Sequence, residues 1–283
     1  MKVAVASGKG GTGKTTVAVS LAVAATEPVR LLDCDVEEPN CHLFVRPETT
    51  SVETVALPVP NVDASRCTAC GECGQFCQFN AIVSFNTVPL VFPELCHGCG
   101  GCMKVCPEGA IQETERAIGV VEEGYGSGIA LVQGRLNVGA PLAPPLIKAV
   151  KARAGSEALT VIDCPAGTSC SLLESVRGCD VAVLVTEPTP FGLRDLTLAV
   201  RAIRELDVPL RVVVNRMGIG DDRIRRYCRE EGIPILLEID DDRRIAEAYS
   251  RGQTIVKALP QMRQTFEMLL SEIVGAATSA CEA

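Results

Sequence analysis

The chain has 283 residues, 47% of them apolar, and a formal net charge of −8; it can bury a large core unaided and offers no net basic surface for nucleic acid or an anionic membrane. Its 15 cysteines would mark a disulfide scaffold only in a short secreted domain. A chain of this length opening MKVAVASGKG, without the basic start and apolar run of a signal peptide or the roughly 18-residue apolar run of a membrane-spanning helix, is expected to be cytoplasmic, with reduced thiols.

The first element is a short apolar run, KVAVAS, followed by a glycine-rich turn and the helix-forming stretch TTVAVSLAVAA, which reads as strand, loop and helix. Residues 8–15, GKGGTGKT, fit G-x-x-x-x-G-K-[ST] in the context that gives the pattern meaning. Glycines let successive backbone N–H groups converge on phosphate oxygens, and the helix N-terminus adds positive partial charge. Lys14 is expected to neutralise the β- and γ-phosphates of ATP and Thr15 to ligate Mg²⁺, with Gly8, Lys9, Gly10, Gly11, Thr12, Gly13 and Thr16 completing the cradle. The next strand, VRLLD (29–33), ends in LLDCDVEEPN, which puts Asp33 and Asp35 at a strand's carboxyl end, where doubly wound sheets hold ligands. Carboxylates there can hold Mg²⁺ directly or through water, or orient an attacking water.

Between about residues 58 and 112 the pattern breaks: prolines 58, 60, 89, 93 and 107 and eight cysteines replace long periodic elements, the mark of an insertion. The expected organisation is a nucleotide domain over 1–60 and 112–283 with a small α+β domain inserted at 61–111. Cys67, Cys70, Cys73 and Cys77 are spaced C-x₂-C-x₂-C-x₃-C, and Cys96, Cys99, Cys102 and Cys106 repeat the run before Pro107. Such spacing wraps [4Fe-4S] cubanes, with each fourth cysteine crossing to the other cluster. Cys67, Cys70, Cys73 and Cys106 are thus expected on one cluster and Cys96, Cys99, Cys102 and Cys77 on the second. Zinc is the rival, although four-cysteine structural sites rarely use two such tandem runs; His97 is expected to be a loop residue.

After the insert, GVVEEGYGSGIALVQG predicts a hairpin around Gly124 to Gly128. LTVID (159–163), VAVLVT (181–186) and LRVVVN (210–215) are near-continuous apolar runs that fit a parallel sheet covered on both faces. Amphipathic segments at about 143–153, 192–206, 221–231 and 261–275 would cover it, with Leu193, Leu196, Val200 and Ile203 marking one helical face. The predicted fold class is α/β, doubly wound and mostly parallel. VIDCPAG places Asp163 at a strand end and VVVNRMG places Asn215 at another. DDRIRRYCRE (221–230) holds Arg223, Arg225, Arg226 and Arg229 among acids, suiting a solvated helix with i,i+4 pairs, and the C-terminal MRQTFEMLLSEIVGAATSACEA lacks the basic face of a membrane anchor.

With Lys9 the loop reads K-G-G-x-G-K and resembles the deviant Walker A ATPases: the MinD, ParA, Mrp and nitrogenase iron protein group. The resemblance covers about residues 1–57 and 115–260. It implies that Lys9 reaches across a dimer interface to the partner's nucleotide, that Asp35 is the switch I aspartate positioning water with Asn40 five residues on, that Asp163 is the switch II aspartate near magnesium, and that Asn215 hydrogen-bonds adenine. The insert resembles a bacterial two-cluster ferredoxin, departing from it at Gln78, where proline is usual. Of the other cysteines (34, 41, 164, 170, 179, 228 and 281), Cys41, Cys179 and Cys228 read as small buried hydrophobes. Cys170 lies at the offset at which the nitrogenase iron protein carries a ligand of its subunit-bridging cluster, but no cysteine between Cys106 and Cys164 supplies a second ligand. Together these resemblances imply an ATP-hydrolysing protein, a homodimer or a heterodimer with a paralogue, that exchanges electrons with a redox partner or serves metallocluster assembly. A cluster carrier of the Mrp type acting on an apo-metalloprotein, and a spatial organiser like MinD or ParA, are the alternatives.

Overall fold

The computed structural model describes residues 1–155 and 157–281, with side chains of the last helix described through Gly275. Among the described residues eleven strands run in chain order as β1 (Lys2–Ser7), β2 (Val29–Asp33), β3 (Glu48–Val62), β4 (Ile82–Val83), β5 (Leu90–Val91), β6 (Ile111–Gly126), β7 (Ile129–Leu136), β8 (Leu159–Ala166), β9 (Val181–Thr186), β10 (Leu210–Met217) and β11 (Ile235–Asp240). Nine form one sheet in the order β11-β10-β9-β1-β8-β2-β7-β6-β3, and β4 pairs with β5 alone. From β11 to β7 every pairing is parallel. The apolar runs read from the sequence are these central strands, buried on both faces: Val3, Ala4, Val5 and Ala6 of β1 and Val181 to Val185 of β9 are all at most 1% exposed, as two covering layers of helix require.

One covering layer packs the helix Lys14–Ala24 and the helices Ile255–Ala258 and Met262–Cys281 against Val3, Val5, Leu31, Val161 and Val183. The other uses Cys170–Val176 and Pro190–Arg204, the latter burying Leu196, Ala199, Val200 and Ile203 at spacings of three and four. Thr189 caps that helix by accepting from the Gly192 N–H at 3.0 Å, and Pro190 occupies its first position, both standard start signals. No helix among the described residues is long and apolar enough to cross a membrane.

The hairpin expected near Gly124–Gly128 turns at Ser127 and Gly128, with φ of 51° and 81°, the two positive angles that match a two-residue turn to strand twist. Within 58–112 the elements are short, as expected, apart from the last five residues of the 15-residue β3 and the first two of the 16-residue β6. Pro58 and Pro60 lie inside β3, which ends the sheet order; on an edge strand a missing N–H breaks no ladder.

The chain divides into two compact units. The first comprises Met1–Val52, Val121–Arg135 and Ile147–Ala283, and the second Glu53–Val120 and Leu136–Leu146; residues 61–111 fall wholly in the second. Within it, Cys73, Ile82 and Ile111 form one small buried cluster and Val59, Ala81 and Cys96 another. Two short helices, Glu72–Phe76 and Gly101–Val105, start after Gly71 and Gly100 with φ of 83° and 69°, so the tandem cysteine runs adopt matching turns that only glycine enters without strain.

Candidate functional site

In the first unit, β1 delivers the loop of residues 8–13 to the carboxyl edge of the sheet between β8 and β9. Gly13 takes φ 92° immediately before the helix begins at Lys14, and a Cβ there would collide with the Asn215 amide nitrogen. Asn215, at the end of β10, donates from Nδ2 to the Thr12 carbonyl at 2.8 Å. A cavity of about 770 Å³ opens here, with Gly13, Lys14, Thr15, Asp35, Asn40 and Asn215 in its wall.

Parallel register sets Asp33 of β2 beside Asp163 of β8, both fully buried. The Lys14 ammonium lies 2.7 Å from Asp163 and 3.5 Å from Asp35, and the Thr15 hydroxyl donates to Asp163 at 2.6 Å. Burial alone would lower the pKa of Lys14, but Asp163 and then Asp35 outweigh it and hold it well above the ordinary value. Burial, reinforced by Asp163, pushes Asp33 up to about 7. Asp35 is raised by burial against the pull of Lys14. Thr15, Asp35 and Asp163 thus supply hard oxygens beside a phosphate loop, the donor set Mg²⁺ prefers. Asp33 is turned differently: its oxygens accept the N–H groups of Asp35 (3.1 Å), Asn40 (2.9 Å) and Cys41 (3.0 Å).

Three participants escaped the sequence reading. Lys9 donates to Glu187 of its own chain at 2.8 Å, and Arg216 binds the other Glu187 oxygen at 2.7 Å. Glu187 follows VAVLVT at the end of β9 and could have been found by the strand-end rule that selected Asp163. Cys41 is buried as expected, but it is more than a small hydrophobe: its thiol donates to Asp163 at 3.6 Å, and burial, then Asp33, raises its pKa well above normal. The 221–230 run forms the expected, largely exposed helix Arg223–Glu230, but its pairing differs from the i,i+4 pattern. Arg223 pairs with Asp221, and Arg225 with Asp222 at i,i+3 and with Glu238 of β11, since Asp221 and Asp222 precede the helix.

In the second unit the eight cysteines of the tandem runs gather as two crossed sets. Cys77, Cys96, Cys99 and Cys102 border a cavity of about 340 Å³ walled by Pro58, Val59, Phe76, Phe79 and Met103. Cys67, Cys70, Cys73 and Cys106 border a separate, narrower recess. Backbone N–H groups point at three of the sulfurs, Ala69 to Cys67 and Gly98 to Cys96 at 3.4 Å and Ala110 to Cys106 at 3.3 Å. A zinc held by four thiolates at about 2.3 Å would bring them to about 3.8 Å of one another. Among the described residues no three of these sulfurs lie within 4.8 Å of one another; the one group that close is Asp33, Cys41 and Asp163. His97 stacks on Phe79 with centroids 3.7 Å apart. Cys34, Cys164, Cys179 and Cys228 are buried, Cys170 is exposed, and the Cys281 side chain lies outside the described residues.

Residues 3–255 match the model of the CobQ/CobB/MinD/ParA nucleotide binding domain. An uncharacterized protein of Methanocaldococcus jannaschii is 33% identical over 226 residues, 78% of this chain and 80% of that one. The iron-sulfur cluster carrier protein of Pyrococcus horikoshii is 26% identical over 307 residues, 97% and 88% of the two chains. Among solved structures, the septum site-determining protein MinD of P. horikoshii, complexed with Mg-ADP, superposes with a TM-score of 0.59 at 21% identity, covering 96% of this chain and 95% of that one; this likeness is one of fold.

Proposed function

The chain belongs to the CobQ/CobB/MinD/ParA nucleotide-binding domain family, and from that premise we propose that it hydrolyses ATP and couples a nucleotide-dependent dimer switch to electron transfer through two [4Fe-4S] clusters. The observation that carries the redox half of this reading is the crossed gathering of eight cysteines into two recesses. When bound, the clusters supply one-electron chemistry and Mg²⁺ neutralises phosphate charge. The polypeptide does the rest. Lys14 neutralises the β- and γ-phosphates, Thr15 and Asp163 hold the metal, Asp35 orients the attacking water with Asn40 beside it, and Asn215 meets the base.

Lys9 reaches the partner's nucleotide only after leaving Glu187, so the nucleotide state of one subunit is felt by the other. Each dimer geometry then gives the clusters a different environment. The partner is a homologous subunit, and the electron acceptor or donor docks on the cysteine-bearing unit.

A second reading, cluster delivery to an apo-protein, is favoured by the relatives named iron-sulfur cluster carrier proteins and by the exposure of Cys70 and Cys99. Anaerobic iron and sulfide analysis tests the common core, with eight irons per chain expected and zinc or empty thiols overturning it. Cys77→Ser and Cys106→Ser should each remove a different cluster. Cluster potentials measured without nucleotide, with MgADP and with a non-hydrolysable MgATP analogue then separate the readings: a nucleotide-dependent shift supports electron transfer, and nucleotide-dependent loss of iron to an apo-acceptor supports delivery.

A further inference from the structure

The loop that follows β2 carries two residues of the hydrolytic reading, Asp35 and Asn40, yet its backbone makes few bonds of its own; Glu38 N–H to the Asp35 carbonyl at 3.0 Å is one. What closes it is Asp33. This side chain is 0% exposed and sits between Gln133 of β7 and Asp163 of β8 in the parallel register. It accepts the N–H of Asp35 on one oxygen and those of Asn40 and Cys41 on the other. One carboxylate thereby joins Asp35, the second residue of the loop, to its last two, Asn40 and Cys41. Asp35, Glu37, Glu38 and Asn40 face the cavity, whereas Asp33 is absent from its wall. The Cys41 thiol adds a second tether, to Asp163.

We propose that Asp33 is a positioning residue that clamps the 35–41 loop by its main chain, fixing where Asp35 and Asn40 stand over the nucleotide. In this role, rather than the metal-binding one that the sequence pattern assigns to it, both of its oxygens are engaged by main-chain N–H groups, those of Asp35 on one and of Asn40 and Cys41 on the other. The inference rests on the hydrolytic reading above for its effect on rate, but the clamp itself is a statement about backbone hydrogen bonds.

The test uses the full chain, prepared anaerobically, as wild type and as Asp33→Asn, whose amide group presents a donor to donors. Amide hydrogen exchange at Asp35, Asn40 and Cys41 should quicken by about tenfold or more, the weight of one hydrogen bond to a charged group, while amides of β1 and β9 keep their protection. ATP turnover should fall by a similar factor, with KM for MgATP and the Mg²⁺ concentration for half-maximal rate within about twofold of wild type. Unchanged loop exchange with a Mg²⁺ requirement raised about tenfold would make Asp33 a metal ligand and overturn the proposal. Exchange quickened equally throughout the sheet would assign Asp33 to general stability and overturn it as well. If the wild type does not hydrolyse ATP, the hydrolytic reading falls, and the exchange comparison still decides the clamp.

Discussion

Replacing Lys14 by alanine should destabilise the fold itself. The ammonium lies 2.7 Å from Asp163 and 3.5 Å from Asp35, its side chain is 7% exposed, and Asp163 is fully buried. Removing one partner of a buried ion pair leaves an uncompensated charge and costs about 3–5 kcal/mol. For a chain of this size that is a fall in Tm of about 10 °C without any nucleotide present. Thermal unfolding followed by circular dichroism measures it, and the double variant Lys14→Ala/Asp163→Asn should recover about 2 kcal/mol, since the orphaned carboxylate is gone. A nucleotide-free Lys14→Ala protein that melts within about 2 °C of wild type would refute the argument that Lys14 is a structural counter-ion.

Glu187→Gln removes the charge that pairs with Lys9 in the same chain; Lys9 is about one-third exposed, so the contact is worth only about 1 kcal/mol, and on the proposed dimer switch analytical ultracentrifugation with a non-hydrolysable ATP analogue should show dimerisation about fivefold tighter. An unchanged dimer constant would dissociate Glu187 from the switch. Gly13→Ala forces a Cβ into φ 92° and against Asn215, costing about 2 kcal/mol, so isothermal titration should show nucleotide affinity lower by about thirtyfold. Asp33, raised from 3.8 to about 7, favours the folded state below pH about 4 and loses that contribution as pH rises through about 7. The urea midpoint should therefore fall between pH 5 and pH 8, and this slope should flatten in Asp33→Asn.

How much of this was legible beforehand follows the range over which each feature is encoded. The phosphate loop, the central strands and the helix Pro190–Arg204 were readable because spacing within a dozen residues sets them: glycines at fixed offsets, apolar runs, a three-four repeat. The long β3 was missed because its first half, ETTSVETV, is exposed and polar, and its prolines read as breaks until the strand is known to be an edge. The crossed cysteine sets are an intermediate case, since the tandem runs name the eight residues, while only folding brings Cys106 beside Cys67, Cys70 and Cys73 and Cys77 beside the others.

By itself the sequence determined what could bind: a loop built for phosphates, carboxylates at strand ends, two runs of thiols. Each is a local property, fixed by residue type and near-neighbour spacing. The partnerships that govern how the site works were decided by tertiary structure. Lys14 meets Asp163 across 149 residues because β1 and β8 pair in parallel with Val5 opposite Asp163, and Lys9 meets Glu187 across 178 because β9 lies on the other side of β1. Strand order and register are set by burial summed over the whole sheet, and no short window of sequence contains that sum.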